Sequence, residues 1–357
     1  MHLRDAGFLL AFSTALLPWG SLALAGFGVP LDLACWFAPF FIFGVVPLLD
    51  TLCGAERYNA PSDGQLAALE NRFYFRMLTM LVVPLWLGTL VWCTWQFTHL
   101  PLGVVGKLGW LVSTSLIGGV LAINPAHELI HKPGRLEPLL GGILLTSVGY
   151  QGFKVEHVRG HHVHAATEHD SSSARLGESV YAFVPRALWL NVRNAWRLEA
   201  RRLRDRGLPV WSWRNEMIRW NALWCAFMLA FASRGGVAAL LFFLAQGVIA
   251  AATLEVINYI EHYGLSRRQL APGRYERVTH LHSWNSPQRY TNWLLFNLQR
   301  HSDHHEVARR RYQALVHHED SPQLPAGYAT MFVLALLPPF WRRVMDHRAM
   351  AMVRPSR

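Results

Sequence analysis

The sequence predicts an all-α integral membrane protein, with six transmembrane helices and a histidine-rich cap on one side. Three observations point there. Hydrophobic residues make up 52% of the 357-residue chain and charged residues only 16%, against about 25% charged in soluble domains. Six segments approach the ~20 apolar residues that a helix needs to cross a hydrocarbon core. The 18 histidines gather where these segments end. The same composition excludes a disordered chain, because there is ample apolar surface to bury. The four scattered cysteines, Cys35, Cys53, Cys93 and Cys225, exclude a disulfide scaffold.

The expected spans run over about 7–26, 31–49, 77–97, 103–123, 218–232 and 237–257. The fifth is short and begins beside Arg219. Short links near Gly26, over Thr98–Leu102 and at Arg234-Gly235-Gly236 join them into three hairpins inserted from one side. The start, MHLRDAGFLLAF, resembles a signal peptide, but no clear small-residue cleavage site follows it. It is therefore read as a retained anchor. The segment from Ala55 to Glu70 is a hydrophilic linker. Leu139–Phe153 is apolar but short, which suits a re-entrant or interfacial position. Tyr328–Trp341 contains Pro338-Pro339 and is expected on or dipping into the membrane surface. The chain reads as one integral domain, with segments 124–217 and 258–357 on the cytoplasmic side.

The net charge is +11, and 31 of the 34 basic residues are arginines. The short links and their borders hold only Lys107 and Arg234. The other 32 basic residues lie opposite, and the positive-inside rule makes that side cytoplasmic. In a bacterium this is the inner membrane, with both termini in the cytoplasm. Such charge could serve nucleic acid, but no nucleic-acid fingerprint is present. The arginines between 175 and 219 suit a solvated face near anionic lipid, or a dock for an acidic protein.

The histidines carry the chemistry. The fourth span runs into His127-Glu128-Leu129-Ile130-His131-Lys132. Two histidines four apart share one helical face and suit one metal ion. Alone, this string suggests a zinc peptidase with Glu128 as general base. Further along stand Glu156-His157-Val158-Arg159-Gly160-His161-His162, Asn258-Tyr259-Ile260-Glu261-His262-Tyr263-Gly264 and Arg300-His301-Ser302-Asp303-His304-His305. His157 and His161 repeat the four-residue spacing, and His301, His304 and His305 have helical ligand spacing. These nine imidazoles exceed one ion's needs, and two ions with four or five each fit the number. Imidazole-rich sites take Fe, Cu, Zn or Ni. Redox iron is attractive because the site faces deep apolar helices, which suit a hydrocarbon chain. The remaining histidines get ordinary roles: His2, His99 and His347 in termini or loops, and His164, His169, His317 and His318 at the surface or beside the site. His280 and His282 are harder to assign, with His282 a candidate beside the metals.

The order HELIHK, EHVRGHH, NYIEHYGL, LQRHSDHH resembles the membrane alkane 1-monooxygenases, non-haem diiron hydroxylases related to xylene monooxygenase and the membrane fatty-acid desaturases. Pro47-Leu48-Leu49-Asp50, Leu176-Gly177-Glu178-Ser179-Val180-Tyr181 and Leu324-Pro325-Ala326-Gly327-Tyr328 extend the resemblance over nearly the whole chain. It implies two irons held by His127, His131, His157, His161, His162, His262, His301, His304 and His305. Glu128, Glu156, Glu261 and Asp303 are then candidates to accept a ligand's free N–H. One departure is visible: Asn124-Pro125-Ala126 precedes the first box, where many members have Asn-Thr-Gly or Asn-Thr-Ala. The proline removes a backbone donor just before the ligands.

The resemblance further implies terminal hydroxylation of medium- or long-chain n-alkanes, with one atom of O2 entering the 1-alkanol and the other leaving as water. Ile42, Phe43, Trp86 and Ile117 are candidate pocket walls, although ordinary packing or lipid contact would explain each. The chain has no flavin, haem or four-cysteine iron motif, so two electrons must come from a separate carrier. The resemblance makes this rubredoxin, reduced by an NAD(P)H-dependent rubredoxin reductase. The alternatives are a xylene-type methyl-aromatic hydroxylase, a fatty-acid desaturase and a metal-binding transporter. The His-Tyr-Gly string argues against the desaturase. Transporters usually show a repeat or charged residues deep within the spans, whereas this chain shows no repeat and its one acid inside a span, Glu255, lies near the cytoplasmic end.

Overall fold

The computed structural model describes residues 3–352 and is predominantly helical; the expected terminal residue His2 lies outside these. Helix α1 covers Arg4–Gly26 and α2 covers Phe37–Cys53. The latter, with a preceding turn at Leu31–Ala34, occupies the second expected span as a shorter apolar helix. Its irregularity follows from Pro39 and Pro47, which lack a backbone donor, and from a π-turn at Phe41–Val45. The linker holds one helix, Asp63–Glu70, whose Gln65 N–H is capped by the Ser62 hydroxyl.

Helix α3 spans Phe73–His99, and α4 spans Val104–Ile130 with a π-turn at Gly119–Ile123. Because α4 does not stop at the expected membrane edge, it delivers His127 on the same rigid rod. Then follow α5 (Leu136–Ser147), α6 (Gly152–Glu156) with a third π-turn at His157–His161, α7 (Val180–Arg204), α8 (Glu216–His262), α9 (His301–Glu306), α10 (Tyr328–Ala335) and α11 (Pro338–Met352). Among the described residues, four helical stretches are long and apolar enough to cross a membrane: Arg4–Gly26, Asp63–His99, Val104–Ile130 and Glu216–His262.

The last of these contains the fifth and sixth expected segments. It breaks at Gly235 and Gly236, and the latter takes a φ of 64° that suits glycine. Phe231 and Phe243 stack with ring centroids 4.7 Å apart, whereas a straight helix would separate them by about 18 Å. The chain therefore folds back at the link read from the sequence.

Two of the shorter apolar segments pack into the body of the protein. In helix α5, Leu144, Leu145, Thr146 and Ser147 are fully buried. Gly247 of α8 approaches this region so closely that a Cβ there would lie 2.7 Å from the Val148 carbonyl oxygen. Helix α10 likewise buries Tyr328, Met331, Phe332 and Ala335 against the body of the protein. The end of α2 is fixed by Asp50, whose carboxylate accepts the Thr291 N–H at 2.9 Å and its hydroxyl at 2.6 Å.

Candidate metal centre

Four stretches of chain deliver the nine histidines to one buried region. Their donor atoms form two groups, within each of which all lie less than 4.8 Å apart: His127, His131, His157, His162 and His304, and His161, His262, His301 and His305. In the second group Nε2 of His305 lies 3.1 Å from that of His161 and 3.0 Å from that of His301. His262 Nε2 lies 3.1 Å from His301 Nε2. Two ligands on one ion at bonds of ~2.1 Å stand about 3.0–3.4 Å apart, so this convergence has the dimensions of a coordination shell.

The partition differs from the simple helical reading. His157 and His161 are four apart, yet they join different groups. The π-turn at His157–His161 widens the helix, and His157 instead meets His162, with their Nε2 atoms 3.1 Å apart. On α9, His301 and His305 join one group and His304 the other.

The donor chemistry fits a metal that favours imidazole. His131, His157, His162, His301, His304 and His305 are all held well below the ordinary histidine range, chiefly by burial and then by their neighbours. Neutral rings offer lone pairs. Nε2 of His127, His131 and His304 is buried with no hydrogen-bond partner, a costly condition that a bound cation relieves.

Asp170 was not singled out by any motif. Its carboxylate accepts from His161 Nδ1 at 2.9 and 3.0 Å, with both side chains fully buried. This fixes Nδ1 as the protonated nitrogen and leaves the Nε2 lone pair facing the group. Burial opposes the Asp170 charge, but His161 outweighs it and holds the carboxyl down at about 2. The Ser173 hydroxyl and Ser172 N–H secure the carboxylate at 2.6 and 3.1 Å. Asp170 lies nine residues after His161 outside any histidine motif, and only proximity identifies it.

The acids chosen from the boxes stand elsewhere. Glu128 pairs with Lys132 at 2.9 Å. Glu156 accepts the Ser171 hydroxyl at 2.7 Å and is pushed up to about 7 by burial, with Asp170 adding to it. Asp303 accepts from Arg310, His318 and the Val316 N–H. His282 faces Glu276, outside both groups. None of these three acids accepts from the nine histidines through a described hydrogen bond. Glu261 is different again: Oε2 lies 3.3 Å from His301 Nε2, on the side where the donors converge, and Oε1 accepts the Tyr328 hydroxyl at 2.7 Å.

An apolar cavity of about 860 Å³, counting its mouth, reaches the centre. On α4 its lining changes from Leu116, Gly119 and Val120 to Asn124 and His127. On α8 it changes from Leu254 and Ile257 to Asn258 and Glu261, with His301 alongside. Of the four candidate walls, Ile42 and Phe43 line the cavity. Trp86 and Ile117 do not: both are buried in the core, and the Trp86 indole N–H donates to Ser147 Oγ at 2.7 Å.

The fatty acid desaturase family model matches residues 104–335, which include all nine histidines. The chain is 51% identical to alkane 1-monooxygenase 2 of Pseudomonas aeruginosa over 317 residues, covering 88% of this chain and 84% of that protein. It belongs to the alkane 1-monooxygenase family. Alkane 1-monooxygenase 2 of Alcanivorax borkumensis is 46% identical over 98% of this chain and 92% of its own length. The hydroxylase component XylM of the Pseudomonas putida xylene/toluene monooxygenase is 30% identical over 65% and 62%. The protein is accordingly a membrane monooxygenase with a histidine-rich metal centre.

Proposed function

We propose that this monooxygenase hydroxylates the terminal carbon of medium- or long-chain n-alkanes at two irons, one held by each histidine group. The observation that carries the reading is the apolar cavity ending on His127 and His301, one residue from each group. When bound, the iron pair supplies the redox chemistry by which O2 is split between alcohol and water. The chain does the rest. The cavity excludes water and brings a methyl end to His127 and His301. Asp170 holds His161 in one orientation, and burial keeps His131, His157, His162, His301, His304 and His305 neutral.

In this reading six membrane segments place the centre on the cytoplasmic side of the inner membrane, consistent with the arginine excess on that side. Electrons come from rubredoxin and its NAD(P)H-dependent reductase. Exposed Arg193, Arg197, Arg201 and Arg204 form a stripe on α7, available to anionic lipid or to an acidic carrier.

The test is anaerobic reconstitution with ferrous iron, rubredoxin and reductase, then aerobic turnover of octane, hexadecane and p-xylene. Two irons per chain and a 1-alkanol product are expected. The likeness to XylM supports a second reading, which preferential oxidation of p-xylene would establish. Retention of zinc with no oxygenated product would defeat both.

A further inference from the structure

His280, His318 and Asp320 stand outside both histidine groups. Each offers a donor atom within 4.8 Å of the others. The two imidazole rings stack with centroids 4.4 Å and planes 8° apart. His280 Nε2 lies 3.0 Å from Asp320 Oδ2, the separation expected of two ligands on one ion at bonds of ~2 Å.

The surroundings of the two rings are more telling. His280 Nδ1 lies 2.8 Å from Glu306 Oε2. His318 Nε2 lies 2.9 Å from Asp303 Oδ1. Each ring thus has one nitrogen held by a carboxylate outside the cluster, while Nε2 of His280 faces Asp320 and Nδ1 of His318 makes no described hydrogen bond. A carboxylate behind each histidine is the arrangement that orients metal-ligating imidazoles and makes them more basic. The rings are half-buried and Asp320 is exposed, so an ion could enter from solvent.

We infer that His280, His318 and Asp320 form a third metal site, which takes one zinc ion with solvent in its open position. Two nitrogens and one carboxylate oxygen suit Zn2+. Calcium and magnesium prefer all-oxygen shells. The site shares no ligand with the nine histidines and does not depend on which metal those hold. Bound zinc would join the turn at His318–Asp320 to the loop at His280.

The same groups could instead form an ion-pair clamp, with protonated His280 between Glu306 and Asp320. Zinc counting separates the two. The full-length, iron-loaded protein in detergent is equilibrated with excess Zn2+, passed over a desalting column and assayed for zinc and iron. The wild type is expected to retain one more zinc per chain than His280→Ala or Asp320→Asn, with equal iron in all three. Titration of zinc should show at least about a tenfold weaker affinity in each variant. Equal zinc retention in wild type and both variants would overturn the site. Because the result is a difference between chains, it stands even if the nine-histidine centre is filled by zinc instead of iron.

Discussion

His157 and His162, five residues apart, bring their Nε2 atoms to 3.1 Å, while His161 turns to the other metal group. The widened turn at His157–His161 produces this split. An ordinary α-helix would put His157 and His161 on one face. The extra residue thus lets one short segment serve both groups.

Deleting Val158 should return this segment to regular α-helical register. At least one metal group should then lose binding, with the helix content by circular dichroism unchanged. Full metal content in the deletion variant would show that the widened turn is dispensable.

Asp170→Asn should weaken metal retention or turnover by about 10–100-fold, the usual cost of losing a partner behind a metal-bound histidine. Asp170→Glu, which keeps the charge, should recover part of the loss. A chelator titration of the loaded protein measures it, and an unchanged midpoint for Asp170→Asn would remove the acid from the site's support.

Gly119 should set the accepted chain length. It lines the cavity, and an added Cβ would meet only Thr253 Cγ2, at 3.7 Å. It stands eight residues before His127, about 12 Å along the helix. Gly119→Phe should lower hexadecane oxidation by about tenfold or more while sparing octane. A parallel loss of both substrates would point to damaged packing. The neighbouring Gly118 offers no such freedom, because a Cβ there would lie 2.9 Å from the Trp86 ring.

Raising the salt concentration should slow turnover driven by an acidic carrier, because exposed charge pairs are screened over about 10 Å at 0.1 M. Equal rates at 50 and 500 mM salt would count against a charge-guided encounter.

Glu199 predicts a pH dependence of stability. It is buried on α7 and accepts from Arg159 at 2.7 Å, Arg202 at 2.5 and 2.7 Å, and the Glu216 N–H at 2.8 Å. Burial alone would raise its carboxyl, but Arg202 and the other donors hold it below the ordinary range. Its stabilisation is therefore full above the unfolded value of about 4.3 and lost as pH falls through the lower folded value. Glu199→Gln should cost about 1 kcal/mol at neutral pH, because the partnering Arg159 and Arg202 are partly exposed and screened. Thermal unfolding of the two proteins should converge in acid. A pH-independent difference would assign the cost to packing.

Residue type and local spacing alone identify much of this protein. The apolar runs mark its long helices, and Gly235-Gly236 marks the reversal in α8, because such signals act over a few residues. The same holds for the nine histidines that gather at the centre. Tertiary structure decided which ligand joins which group, because the widened turn and the contacts among four separate stretches control side-chain direction. It also decided that Asp170, rather than the acids inside the motifs, supports His161. Hydropathy could mark Leu139–Phe153 as apolar but not as enclosed, and could not separate Ile42 and Phe43 at the cavity from Trp86 and Ile117 in the core. Burial and hydrogen bonding in these cases depend on partners far away in the chain, which no local pattern encodes.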